Sequence, residues 1–139
     1  MAAIGRDDVT MTRRGLFAMA LAALAKADTP AGVLSLLRDA AEALADKEPA
    51  AFLDLFDRAM PGYAQLREDI ETLLASEDVA STIEIVNDEG GDQARDLELD
   101  WLLAIGRNRP RRAALQCRVE RKGRAWKFTK LQPASFFRR

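Results

Sequence analysis

The chain has no histidine and a single cysteine, Cys117, among 139 residues. Each absence excludes chemistry. Without histidine there is no side chain that ordinarily titrates near neutral pH, and no serine–histidine or cysteine–histidine nucleophile pair. A lone cysteine forms no intramolecular disulfide, and without histidine it builds no zinc site of the usual kind. Glu77, Asp78, Asp88, Glu89 and Asp92 lack the fixed spacing of a calcium loop. Neither a metal nor a cofactor is therefore expected. No apolar run approaches the roughly 20 residues a membrane-spanning helix needs, and no repeat or low-complexity linker occurs. Aromatic residues are scarce, with one tyrosine and two tryptophans, so their positions carry information.

The first 27 residues read as an address. Arg13 and Arg14 precede an apolar segment from Leu16 to Ala25, and Ala25-Lys26-Ala27 supplies a small-x-small cleavage site. The string Thr12-Arg13-Arg14-Gly15-Leu16-Phe17 resembles twin-arginine leaders, which deliver folded proteins for export. The alanine-rich core and the positive charge of Lys26 fit that resemblance. Met11 is an alternative start, because Asp7 and Asp8 suit an n-region poorly. The competing readings are an amphipathic first helix and an uncleaved leader acting as a loose anchor. The expectation is an export signal over 1–27 and one domain over 28–139, located in the periplasm or secreted. A domain of that length can bury a core of its own.

Charge is near balance overall but unevenly distributed. Asp28 to Asp100 holds 19 acidic and 5 basic residues, whereas Arg107 to Arg139 holds 12 basic residues and one acid, Glu120. A basic half can mark polyanion binding. The reading adopted is that acidic helices and an acidic strand neutralise basic strands within one fold. An exported protein rarely meets nucleic acid, and the lone Trp126 of the basic half is no stacking platform, so nucleic acid is not an expected partner.

Hydrophobic period separates two halves. Val33, Leu34, Leu37, Ala40, Ala41 and Leu44 recur at helical spacing. Pro49 suits the first turn of a second helix, buried through Phe52, Leu53, Leu55 and Phe56. Met60-Pro61-Gly62 breaks the chain before a third helix with Tyr63, Leu66, Ile70, Leu73 and Leu74 as its stripe. The period then becomes two. Ile83 and Ile85 mark one strand, and Glu89-Gly90-Gly91-Asp92 a turn. Leu97, Leu99, Trp101, Leu103 and Ile105 point one way along the next strand, with Asp96, Glu98 and Asp100 opposite. Leu115, Cys117 and Val119 face inward on a third. A turn centred on Lys122-Gly123 would pair Val119 with Trp126 and Cys117 with Phe128 on a fourth. Arg118 would then lie opposite or diagonal to Glu98 and Asp100. Leu131 breaks the alternation, which predicts a bulge near Thr129 or Lys130. Phe136-Phe137 should fold back as an apolar clasp.

Three helices followed by a four-stranded meander is similar to the nuclear-transport-factor-2-like superfamily, the group of the ketosteroid isomerases and polyketide cyclases. The residues carrying the resemblance are the Leu34–Leu44 helix, Ala51-Phe52-Leu53-Asp54-Leu55-Phe56, Leu97-Glu98-Leu99-Asp100-Trp101 and Arg124-Ala125-Trp126-Lys127-Phe128. It implies an α+β, cystatin-like cone: a curved antiparallel sheet wrapping helices, with a pocket at its wide end. One departure is that Met60-Pro61-Gly62 leaves little room for the family's short strand between the second and third helices.

Fold alone does not give function. Isomerases of this group use an acidic base with a tyrosine and a second acid as oxyanion hole. Tyr63 is the one tyrosine, but alternation sends Asp100 to the outer face, so an inward acid is missing. Trp101 and Trp126 fall on inward faces, as core or as cavity lining. Cys117 lies between apolar neighbours and should behave as a buried hydrophobe. Arg107, Arg109, Arg111 and Arg112 are either a solvated turn or an anion grip. The expectation is an exported, non-enzymatic binding module for a small apolar ligand or an envelope protein, with Tyr63, Trp101 and Trp126 as candidate pocket residues. The alternative is a small isomerase, cyclase or dehydratase. A homodimer through the sheet would be polar and weak.

Overall fold

The computed structural model describes residues 29–139; the proposed leader lies outside the described residues. Helix α1 (Ala31–Ala45) buries Val33, Leu36, Leu37, Ala40, Ala43 and Leu44. The buried stripe includes Leu36 and Ala43, while Leu34 and Ala41 lie half-buried at its margin. The helix stops in a Schellman turn. Lys47 adopts φ 57°, its N–H donates to the Leu44 carbonyl at 3.2 Å, and Glu48 N–H donates to Ala43 at 3.0 Å. Pro49 then opens α2 (Pro49–Leu53) in its first turn. Helix α3 (Tyr63–Ser76) starts after Gly62, whose φ of 83° a side chain would resist.

The sheet is a four-stranded antiparallel meander in the order β1 (Val79–Gly90), β2 (Ala94–Ile105), β3 (Arg111–Lys122), β4 (Ala125–Gln132). Along β2 every second residue from Arg95 to Ile105 is buried, so the period-two pattern decides which face meets the helices. A bulge at Val86 shifts the register of β1 against β2. A second, at Thr129, shifts β3 against β4 and matches the predicted place. Bulges bend and twist the strands that carry them, and this sheet wraps the helices.

Two pairing expectations are corrected. The last hairpin turns at Gly123-Arg124, with Lys122 opposite Ala125, Val119 opposite Phe128 and Cys117 opposite Leu131. Gly123 has φ 67° and takes the first central position, where a tight hairpin favours glycine. Arg118 lies opposite Asp96, which leaves it diagonal to Glu98 as expected but not to Asp100. Between α2 and α3 the chain makes one isolated parallel bridge, Phe56 with Phe128. Asp57 N–H donates to Phe128 O at 2.8 Å and Phe128 N–H donates to Leu55 O at 2.9 Å.

Ion pairs tie the acidic half of the chain to the basic half. Asp57 meets Lys122, Asp69 meets Arg138, Glu77 meets Arg139, Asp96 meets Arg118 and Asp100 meets Arg112. Part of the uneven charge distribution is thus balanced across the tertiary structure.

Candidate functional site

The interior converges on an aromatic cluster built from three parts of the chain. Trp101 on β2 is fully buried, and its indole N–H donates to Ser81 Oγ on β1 at 3.1 Å. A 3₁₀ turn at Ala134–Phe137 follows β4 and carries Phe136 and Phe137 inward. The Phe137 ring meets Trp101 edge-on at 5.3 Å, Phe136 at 5.1 Å and Phe52 of α2 at 5.5 Å. Phe52 continues to Phe56, whose ring stacks on Phe128 at 4.7 Å. Edge-on contacts put a positive ring edge on a negative face and add to the gain from burial.

The predicted clasp is therefore present. Its fastenings are polar and peripheral. Arg111 at the start of β3 donates through Nη1 to the Phe136 carbonyl, and to the Arg138 carbonyl at 2.8 Å. Arg138 Nε lies 3.4 Å from Asp69 Oδ2 on α3, and Arg139 Nη2 lies 3.3 Å from Glu77 Oε2. Backbone bonds within the clasp are local: Phe136 to Pro133 at 3.2 Å and Arg138 to Ser135 at 2.9 Å.

The three predicted pocket residues occupy separate places. Trp101 belongs to the cluster just described. Trp126 packs at the start of α1, where a Cβ on Gly32 would sit 2.6 Å from indole Cδ1. Tyr63 is half-buried at the start of α3 against the core. No ring-to-ring contact joins the three among the described residues. Cys117 is buried, and burial pushes its thiol up to about 12. At neutral pH it is a protonated hydrophobe and no nucleophile.

Two acids reach the interior. Asp88 Oδ1 accepts from Arg95 Nε at 2.7 Å; both side chains are buried, Arg95 also donates to Gly91 O at 2.9 Å, and Thr29 donates to Asp88 Oδ2. Asp69 is 8% exposed; Oδ1 accepts from Gln65 at 3.0 Å, and Oδ2 has no hydrogen-bond partner. Sequence reasoning weighed Asp88 only among the scattered acids of a calcium loop and passed over Asp69, although each carried a signal. Arg95 is in phase with Leu97, Leu99 and Trp101, and Asp69 sits three residues after Leu66 on the buried stripe of α3.

Outside the core, an open polar cleft of about 330 Å³ is lined by Leu53, Asp54, Phe56, Asp57, Lys122 and Lys127, with Arg58 at its side. The Asp57 carboxyl is held below its ordinary range, first by the Ala59 backbone N–H and then by Lys122. Lys127 donates to the Asp54 carbonyl. Of its charges, Lys122 and Asp57 pair with each other at 3.5 Å. Among the described residues no group of three or more acidic or cysteine side chains could hold a metal ion, and no helix is long and apolar enough to cross a membrane.

No family model and no curated protein matches the chain. Solved structures do. A domain of unknown function with a cystatin-like fold from Nostoc punctiforme superposes with a TM-score of 0.62 at 9% identity, over 77% of this chain and 76% of that one. An NTF-2-like protein of unknown function from Shewanella oneidensis gives 0.59 at 13% identity, over 72% and 93%. A protein of unknown function from Mycobacterium tuberculosis gives 0.63 at 9% identity, over 72% and 67%. These likenesses establish the class of fold: a cystatin-like, nuclear-transport-factor-2-like α+β cone of three helices on a four-stranded curved sheet.

Proposed function

We propose that this protein is an exported, non-enzymatic binding module for a small apolar ligand. The observation that carries the reading is the interior itself. Aromatic and aliphatic side chains meet there, and the acids that reach it each face an arginine, Asp88 with Arg95 and Asp69 with Arg138. A general base needs a carboxylate poised against a substrate proton, and an ion-paired acid is a poor one. The isomerase-type alternative therefore lacks its base, and Asp100, next to Trp101, is spent on the outer face with Arg112.

An envelope-protein partner is the second form of the reading. Val86 and Leu102, 53% and 38% exposed, are the large apolar side chains left on the surface among the described residues. They offer little contiguous area. A homodimer through the outer face would bring ion pairs together and be salt-sensitive.

The test is a native mass spectrum of the protein recovered after export from a bacterial host. The expected result is a chain beginning at Asp28 that carries an additional small species, released on denaturation. A bare chain sinks the ligand reading, and a chain retaining residues 1–27 sinks the cleaved leader.

A further inference from the structure

The sheet has two edges, and they are guarded differently. An edge strand presents a row of backbone N–H and C=O groups that no neighbouring strand pairs. At β4 the chain covers part of that row itself: Asp57 N–H donates to Phe128 O, and Phe128 N–H donates to Leu55 O. Lys127 and Lys130 add charge of the kind that keeps other strands away. At β1 these guards are missing. The strand pairs with β2 on one side, and among the described residues no backbone group of Val79–Gly90 bonds to any other element. It holds no lysine, arginine or proline, and Val79 to Val86 is rich in the β-branched residues that favour extended chain. Its one irregularity is the bulge at Val86, which confines regular pairing along the free edge to Val79–Ile85.

The charges of this run select what fits it. Glu84 is its one charged side chain, and Asp78 precedes it. Two copies pairing antiparallel about a two-fold axis meet in a self-complementary way, residue i on j and j on i. An axis at Glu84 sets that acid against itself. An axis at Ile83 puts the two Glu84 side chains diagonal to each other, and one at Ser81 sets Glu84 against Asp78. Axes nearer either end pair fewer residues or run into the bulge. An axis at Thr82 sets Glu84 against the exposed Ala80, Thr82 against Thr82, Ser81 against Ile83 and Val79 against Ile85. Threonine opposite threonine is a favourable cross-strand pair, and no like charges are opposed. The edge is thus complementary to itself in one register.

We propose that β1 is a homodimer interface, in which two copies pair Val79–Ile85 antiparallel about Thr82 and join their sheets into one. The partner is a second copy of this chain. The inference goes beyond the binding-module reading and does not depend on it. It also differs from a dimer through the outer face, because edge pairing leaves the ion pairs of that face and the core untouched. The contact is small, so the dimer is weak and concentration-dependent.

Sedimentation of the full chain from about 1 µM to about 1 mM tests it. The expected result is a monomer–dimer equilibrium within that range, little changed by added salt. Ala80→Lys sets a lysine against Glu84 at two symmetric places and should tighten the dimer about fivefold; Ala80→Glu should weaken it about fivefold. Ala80 is exposed, so neither variant disturbs the core. A lysine on an edge ordinarily hinders pairing, so tightening is the signature of this register. A monomer at every concentration, in the full chain and in Ala80→Lys, overturns the proposal. A dimer indifferent to the charge at position 80 overturns it too, since the contact then lies elsewhere on the chain. So does a dimer of the unsubstituted chain that salt dissolves, which would point to the outer face.

Discussion

The two faces of one sheet are held by different forces. On the inner face Leu97, Leu99, Trp101, Leu103, Leu115, Val119 and Phe128 are essentially closed to water. Opposite them Asp96, Asp100, Arg112 and Arg118 form ion pairs that keep one foot in solvent. The same strands, read at odd and even positions, thus carry two kinds of interaction of unequal worth. Burial of a large apolar side chain contributes roughly 1.5–3 kcal/mol, whereas an exposed ion pair contributes about 1 kcal/mol or less. The inner face therefore carries the stability, and the outer face carries solubility and charge balance.

The largest effects expected lie inside. Phe137→Ala removes a ring from the centre of the aromatic cluster and should cost about 3–5 kcal/mol in urea unfolding. Asp88→Asn weakens the buried contact with Arg95, and a loss larger than that of an exposed pair is expected. Equal losses for Asp88→Asn and an outer-face variant would dissolve the contrast between the faces. Gly32→Ala drives a methyl into the Trp126 indole and should cost about 1–3 kcal/mol, read as a lower thermal midpoint. Asp100→Asn on the outer face should cost about 1 kcal/mol or less after screening.

Acid provides a gentler probe of the outer face. The Asp100 carboxyl is held below its ordinary range first by its hydrogen bond from Arg112, and that of Glu120 first by Arg118. A carboxyl depressed in the folded state stabilises above its unfolded pKa, and that stabilisation is lost as pH falls through the folded value. Unfolding midpoints should therefore hold from neutrality down to about pH 4 and fall below it, the unfolded carboxyls titrating near 4. Asp100→Asn should shallow that fall, and an unaltered acid profile would show that the pair with Arg112 adds nothing.

Much of this contrast was legible in the residues. Alternation from Leu97 to Ile105 assigned the faces of β2 correctly, because a one-residue slip would turn every apolar side chain to water. Leu131 out of phase announced the bulge at Thr129. What escaped depended on pairing across the chain. The hairpin turn was placed one residue early because Lys-Gly and Gly-Arg are both plausible two-residue turns. Only the match of Val119 with Phe128 across the bulge separates them. The partner of Arg118 moved with the register of the preceding hairpin. Leu36 belonged to the stripe of α1 because the helix packs on β1 and α2 at once. Trp101 and Trp126 were chosen for their inward phase and Tyr63 for its place on the third helix. The surroundings of Trp101 come in part from Phe137, 36 positions away in the chain, which alternation alone does not reveal.

The central claim is that the final residues complete the core and do not trail from it. A chain ending at Gln132, compared with the full chain in urea, tests it directly with Trp101 emission as the signal. The account predicts a large drop in the unfolding midpoint and a red-shifted native emission, as water reaches the indole that Phe136 and Phe137 cover. A truncated chain with the midpoint and emission of the full one would contradict the account.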